Sequence, residues 1–146
     1  MNFRYKIFCI CIAILNLSCS NSQTINKISC YSGGGEVGIS VYLEITKDST
    51  VGYYKKYNEK TKFREETNPA FWNSLTHEIT VNDFKKINST ESRTYIDEPD
   101  SSVRITTDQD EYSIMNGEIN QDKDKNMYNF MTSLWEKQQA IYDKYK

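Results

Sequence analysis

Along residues 39–46 apolar and polar side chains alternate without a break. Ile39, Val41, Leu43 and Ile45 hold one phase; Ser40, Tyr42, Glu44 and Thr46 hold the other. Period-two alternation over a stretch of this length predicts a strand with one face buried. Lys47, Asp48, Ser49 and Thr50 read as a turn. Val51, Tyr53, Lys55 and Tyr57 then continue the alternation, so residues 38–57 predict a hairpin. In this phasing Tyr54 falls on the polar side of its strand and is the aromatic residue expected to be exposed. Upstream, Ile28 and Cys30 alternate with Lys27, Ser29 and Tyr31, predicting a short first strand that Gly33, Gly34 and Gly35 bring to an end. Residues 58–66 are charged, show no apolar face, and predict a loop or exposed extension.

The period then changes. Asn68 followed by Pro69 suits a helix start, because the Asn side chain can accept from free N–H groups and Pro fits the first helical position. Phe71, Trp72, Leu75 and Ile79 supply a helical stripe behind it. Thr80 with Asp83 matches a capping box for a second short helix carrying Val81, Phe84 and Ile87. Residues 88–101 are polar and predict a long loop. Residues 102–106 and 111–115 alternate again and predict a second hairpin, with Val103, Ile105, Tyr112 and Ile114 inward. Over residues 125–144, Met127, Phe130, Met131, Leu134, Ile141 and Tyr142 recur at helical spacing, a stripe that Tyr145 extends. The expected class is α+β: a mainly antiparallel sheet of two hairpins plus a short first strand, packed by two short helices and a long C-terminal helix.

The start of the chain follows a different logic. Arg4 and Lys6 precede an apolar run from Ile7 to Leu17, and the small residues Ser18, Cys19 and Ser20 follow. This is the layout of a secretory signal peptide. A membrane-spanning helix needs ~20 apolar residues, more than this run provides. The expected organisation is a signal peptide at 1–18, a polar tether at 19–25 and a single α+β domain at 26–146. Leu17-Ser18-Cys19 with the tether Ser20-Asn21-Ser22-Gln23 resembles a bacterial lipobox, with Asn16 where the usual pattern has Leu. The resemblance implies that Cys19 is lipidated and becomes the mature N-terminus. An acyl chain contributes roughly 0.8 kcal/mol per buried CH₂, so a diacyl group would anchor an otherwise soluble domain.

Charge and cysteine content refine this picture. The chain carries a formal net charge of −2, and losing Arg4 and Lys6 with the signal lowers it to −4. No basic stripe suggests nucleic acid. Cys9 and Cys11 leave with the signal. If Cys19 is lipidated, Cys30 is alone and reads as a small buried hydrophobe; if it is not, a Cys19–Cys30 disulfide is open.

Catalytic patterns are sparse. His77 is the one histidine; Glu78 follows it, but no second histidine stands four residues on, so zinc-protease spacing is missing. His77 fits the end of the first helix, where a cation is favoured. No Gly-x-Ser-x-Gly elbow occurs. Gly33, Gly34, Gly35 and Gly38 lack the Lys-Ser/Thr of a phosphate loop and precede a strand, so they read as a turn or bulge. Asp122, Asp124 and Asn126 imitate the opening of a calcium loop, but its sixth position is Met127 and its twelfth is Ser133. They fit the N-terminal turn of the long helix, with weak calcium binding as the alternative. Trp72, Trp135, Tyr53, Tyr54 and Tyr57 are candidates for an aromatic surface that binds sugar or protein, with core packing as the competing reading. No catalytic residue, resident metal or cofactor is assigned.

Ile28-Ser29-Cys30-Tyr31-Ser32-Gly33-Gly34-Gly35 before an alternating strand, and later Trp72-Asn73-Ser74-Leu75, Phe84-Lys85-Lys86-Ile87, Ser92-Arg93 and the segment from Asp97 to Thr107, resemble small envelope lipoproteins of Bacteroidetes-type bacteria. The resemblance spans most of the mature chain and implies no activity. Asp48-Ser49-Thr50 also looks like the tripeptide such bacteria O-glycosylate, making Ser49 a candidate site. The expected function is that of an exported, lipid-anchored envelope protein with a non-enzymatic binding or structural role. Its partners would be the membrane, through the N-terminal lipid, and an envelope protein. An inhibitor or immunity-type protein, and a carboxylate- or calcium-dependent enzyme, are the alternatives.

Overall fold

The computed structural model describes residues 23–35, 38–93 and 98–146. The chain is α+β: six strands form one antiparallel sheet, and three helices lie on one of its faces. The elements are β1 (Ile25–Gly34), β2 (Ile39–Thr46), β3 (Ser49–Lys56), β4 (Glu59–Glu66), α1 (Pro69–Glu78), α2 (Val81–Phe84), β5 (Asp100–Thr107), β6 (Glu111–Met115) and α3 (Lys125–Tyr145). The spatial order is β4-β3-β2-β1-β5-β6. The expected short first strand is thus a long one at the centre of the sheet, between β2 and β5. Its register places Cys30 between Leu43 and Val103. Ile25, expected in the tether, is already paired with Thr107, and the preceding Thr24 donates its N–H to Asp108 Oδ1 at 3.0 Å.

The helix-facing side of the sheet follows the alternation in β1, β2 and β5. Ile28, Cys30, Val41, Leu43, Ile45, Val103 and Ile105 are all buried there. In β3 the phase is the reverse of the expectation. The register sets Thr50 across from Ile45, Gly52 across from Leu43 and Tyr54 across from Val41. Tyr54 is therefore in the core, only 4% exposed, while Val51 and Tyr53 lie on the open face. Gly52 is required by close approach: a Cβ would sit 2.1 Å from Tyr42 O and 2.9 Å from Phe63 Cζ. The ring of Phe63 covers the space that a side chain at 52 would fill.

Phe63 belongs to the stretch expected to be a loop, residues 58–66, which is instead the edge strand β4. It pairs with β3 along its whole length. Its charges do not prevent this, since an edge strand needs backbone pairing on one side only, and charged edges discourage unwanted pairing on the other. Phe63 stacks on Tyr145 of α3 at 5.8 Å, and Glu65 pairs with Lys137 of the same helix. At the opposite edge, the Thr90 N–H donates to Met115 O at 2.9 Å and Ser89 Oγ accepts from the Met115 N–H at 3.1 Å. The segment after α2 thereby caps the end of β6.

The helices form where the sequence indicates. Asn68 accepts from the N–H groups of Ala70 and Phe71, with Pro69 in the first turn. Thr80 accepts from the Asp83 N–H and donates to its carboxylate at 2.7 Å. α3 buries Met127, Phe130, Leu134, Gln138 and Ile141. Among the described residues no helix is long and apolar enough to cross a membrane.

Candidate functional site

α3 carries two stripes. Met127, Phe130, Leu134 and Ile141 face the sheet and are buried. One position further round, Tyr128, Met131, Trp135 and Tyr142 recur at spacings of three, four and seven, and so share a flank of the helix. That flank overhangs the ends of β1 and β2 rather than their middle. Trp135 on it is 61% exposed, an unusual position for the largest amphipathic side chain.

Trp135 divides a groove into two clefts. One, of about 440 Å³, is lined by Ser101, Val103, Ile119, Tyr128 and Met131. The other, of about 210 Å³, is lined by the glycine turn at 33–35, Ile39, Pro99, Gln139 and Tyr142. Ser32 and Gln138 border both clefts. Gln138 is held in place because its Nε2 donates to the Val41 carbonyl at 3.3 Å.

Two local structures shape the groove. At the end of β1, Gly33 pairs so closely with Ser40 of β2 that a Cβ on it would lie 2.2 Å from the Ser40 Cβ. On the other side, Asn116 takes a left-handed backbone with φ 46°. Its Oδ1 accepts from the Ser101 N–H at 2.8 Å, and its Nδ2 donates to Glu91 O at 3.0 Å and Asp100 Oδ1 at 2.8 Å. Asn is among the few residues that adopt this backbone readily. The hydrogen bonds from the Arg93 N–H, Ser92 and Asn116 hold the Asp100 carboxyl below its ordinary range. Asn116 thus fixes Ser101 and Gly117, which line the larger cleft.

The sequence candidates are dispersed. Cys19 lies outside the described residues. Ser49 opens β3 in a turn where its N–H donates to Thr46 Oγ1 at 3.1 Å and its carbonyl accepts from the same hydroxyl at 3.0 Å. Asp122 is in the turn before α3, Asp124 is the N-cap residue with no side-chain cap bond, and Asn126 is in the first turn. Among the described residues no three or more His, Cys, Asp or Glu converge to hold a metal ion. His77 is in the last turn of α1, its Nδ1 2.7 Å from Asn73 O. Cys30 is buried in β1, and desolvation pushes its thiol up to about 12, so a disulfide partner would have to enter the core beside Leu43 and Val103.

Of the aromatic candidates, Trp72 and Tyr54 are core residues, whereas Tyr57 and Trp135 are exposed. Tyr53 lines up with Tyr42 and Tyr31 across the open face. Its ring stacks on Tyr42 at 5.5 Å, and Lys60 Nζ lies over it at 3.9 Å. Burial, together with the neighbouring Tyr31 and Tyr42, raises its phenol above the ordinary range. This row occupies the surface of three paired strands. The groove beside Trp135 offers both a concavity and an exposed aromatic, and its signal was present in the sequence: Trp135 lies one position beyond a core residue, on the Tyr128–Met131 flank.

Comparison with known proteins found no family model that matches the sequence and no matching relative among curated proteins. The groove's chemistry must be read from its own residues. It offers an aromatic platform, hydroxyls and carboxamides, groups that can stack and hydrogen-bond.

Proposed function

We propose that the protein is an exported, lipid-anchored component of the bacterial cell envelope that acts by binding, without catalysis, through the groove beside Trp135. The observation that carries this reading is the polarity of β1. The chain comes into the sheet at Ile25, beside the Asp108–Gln109 turn, where Gln23 and Thr24 are hydrogen-bonded. The groove opens at the other end of the strand, at Gly33–Gly35. Ten residues of strand at ~3.3 Å each separate the two by about 30 Å. A lipid on Cys19, a few residues before Gln23, would hold the chain's starting end near the bilayer. The groove would then face away from it.

Two measurements test the reading. The mass of the mature N-terminal peptide from native membranes is expected to show a diacylglyceryl adduct on Cys19; an unmodified N-terminus removes the anchor. A photo-crosslinking side chain at position 135 in intact cells is expected to capture an envelope component that the same side chain at exposed position 86 does not. Equal capture from both positions removes the groove.

A further inference from the structure

We infer that the Trp135 groove takes a neutral oligosaccharide, an inference that rests on the groove being the binding site. The first argument is charge. Among the described residues, no Asp, Glu, Lys or Arg lines either cleft beside Trp135. In a chain with 26% charged residues this separates the groove from its surroundings. Lys85 lines the cleft at the start of β1; Asp83, Lys86 and Lys123 line the cleft at the start of α3; Arg64 and Glu65 line the cleft beside β4. A charged ligand desolvated in the Trp135 groove would find no counter-ion among the described lining residues, which is costly.

The second argument is the kind of polar group present. Gln138 and Gln139 carry carboxamides, and Ser32, Ser101 and Thr132 carry hydroxyls. Each of these both donates and accepts, as sugar hydroxyls do. Gln138 already donates to the Val41 carbonyl, Gln139 to Asp143 and Ser101 to Asn116, but each keeps capacity for a further bond. An apolar helix or acyl chain laid in the groove would leave that capacity and the Ser32 and Thr132 hydroxyls unused, at a cost for each desolvated group. A sugar ring has polar edges for these groups and a C–H face for the indole, which is apolar over its body and polar at one edge.

The third argument is size. Clefts of about 440 and 210 Å³ fall around the lower end of the range of small-ligand sites, roughly 300–1,000 Å³. Their arrangement on the two sides of one exposed ring suits consecutive units of a short chain. The occupant is therefore an uncharged glycan segment of a few units lying across Trp135.

The test uses the full mature chain in detergent and follows tryptophan fluorescence and calorimetry. The probes are cellohexaose, laminarihexaose, maltohexaose, mannohexaose and chitohexaose, with hexagalacturonate as the acidic control. At least one neutral hexaose is expected to bind with a spectral shift. Trp135→Ala should weaken it tenfold or more, Trp135→Tyr should retain most of it, and Lys86→Ala, at an exposed position that lines neither cleft, should leave it unchanged. Trp135 is largely in solvent, so the first variant is expected to fold; its thermal midpoint checks this. Binding of hexagalacturonate alone, binding that survives Trp135→Ala, or no binding of any neutral probe at millimolar concentration would each overturn the inference. In the last case, specific crosslinking of a protein at position 135 would leave the binding role standing and refute only the glycan. Absence of both would remove the two readings together.

Discussion

The hydroxyl of Thr50 lies 2.9 Å from that of Thr67, with both residues buried. This bond joins the second position of β3 to the turn between β4 and α1, and so fixes where the first helix comes off the sheet. Both residues are almost wholly withdrawn from solvent. Thr50→Val keeps the shape but leaves Thr67 Oγ1 buried and unpaired, which costs about 1–3 kcal/mol. The double variant Thr50→Val/Thr67→Val removes both polar groups and is expected to lose less than the sum of the single losses. Urea denaturation of the four proteins gives the coupling directly. Strict additivity would mean that the two hydroxyls do not depend on one another.

Tyr54 presents the opposite case. Its ring is in the core, edge-on to Tyr142 at 6.0 Å, and its hydroxyl is buried with no partner among the described residues. Tyr54→Phe deletes the unsatisfied group and keeps the ring contact. The variant is expected to be more stable by about 1 kcal/mol, seen as a higher urea midpoint at unchanged slope. A loss of similar size would show that the hydroxyl is hydrated in the folded protein.

Asn116 combines side-chain hydrogen bonds to Ser101, Glu91 and Asp100 with a left-handed backbone. Asn116→Gly keeps the backbone and loses the bonds; Asn116→Ala loses the bonds and strains the backbone. Both are expected to destabilise by about 2 kcal/mol or more, with Ala worse than Gly by about 1 kcal/mol. Equal losses would mean that the backbone conformation carries no weight. The same variants should reduce the stability gained as pH rises through the acid range. The Asp100 carboxyl, lowered in the folded state, contributes stability above its ordinary range and loses it as pH falls, and Asn116 donates one of the bonds responsible.

How far the fold was legible follows from where each side chain's period agreed with its neighbours. The alternation in β2 is complete, and its buried face is the one the apolar residues mark. In β3 it misled, because the core positions are Thr50, Gly52 and Tyr54, and the core there is completed from outside the strand by Phe63. Single-strand periodicity does not contain that information; pairing does. β4 was hidden for a related reason: an edge strand pairs through its backbone and needs only one apolar residue, Phe63, on its inner face. The groove was half visible. Trp135 and Tyr128 share a flank in the sequence, but the approach of the glycine turn and Pro99 to that flank depends on tertiary packing. Asn116 read only as the end of a hairpin, since its partners at 91, 100 and 101 are brought to it by the fold.

Cys30 ties stability to alkaline pH. The residue is 2% exposed in the middle of β1, and burial raises its thiol from the ordinary 9.0 to about 12. The folded state thus keeps its proton where the unfolded chain gives it up. The associated stability is fully present below about pH 9 and is lost as pH rises towards 12, at up to about 1.4 kcal/mol per pH unit. The tyrosines also titrate in this range, so the measurement is a difference: urea unfolding of the wild type and of Cys30→Val from pH 8 to 11. The variant is expected to lose stability with the shallower slope, and parallel slopes would show that the thiol ionises in the folded protein without cost. The same burial sets the reaction with a thiol reagent at pH 8. Cys30 is expected to react only as fast as the sheet opens, so in a chain cleaved before Cys19, as proposed, any rapid equivalent must come from Cys19. A mature chain with no rapid equivalent under reducing conditions would fit a thioether at that position.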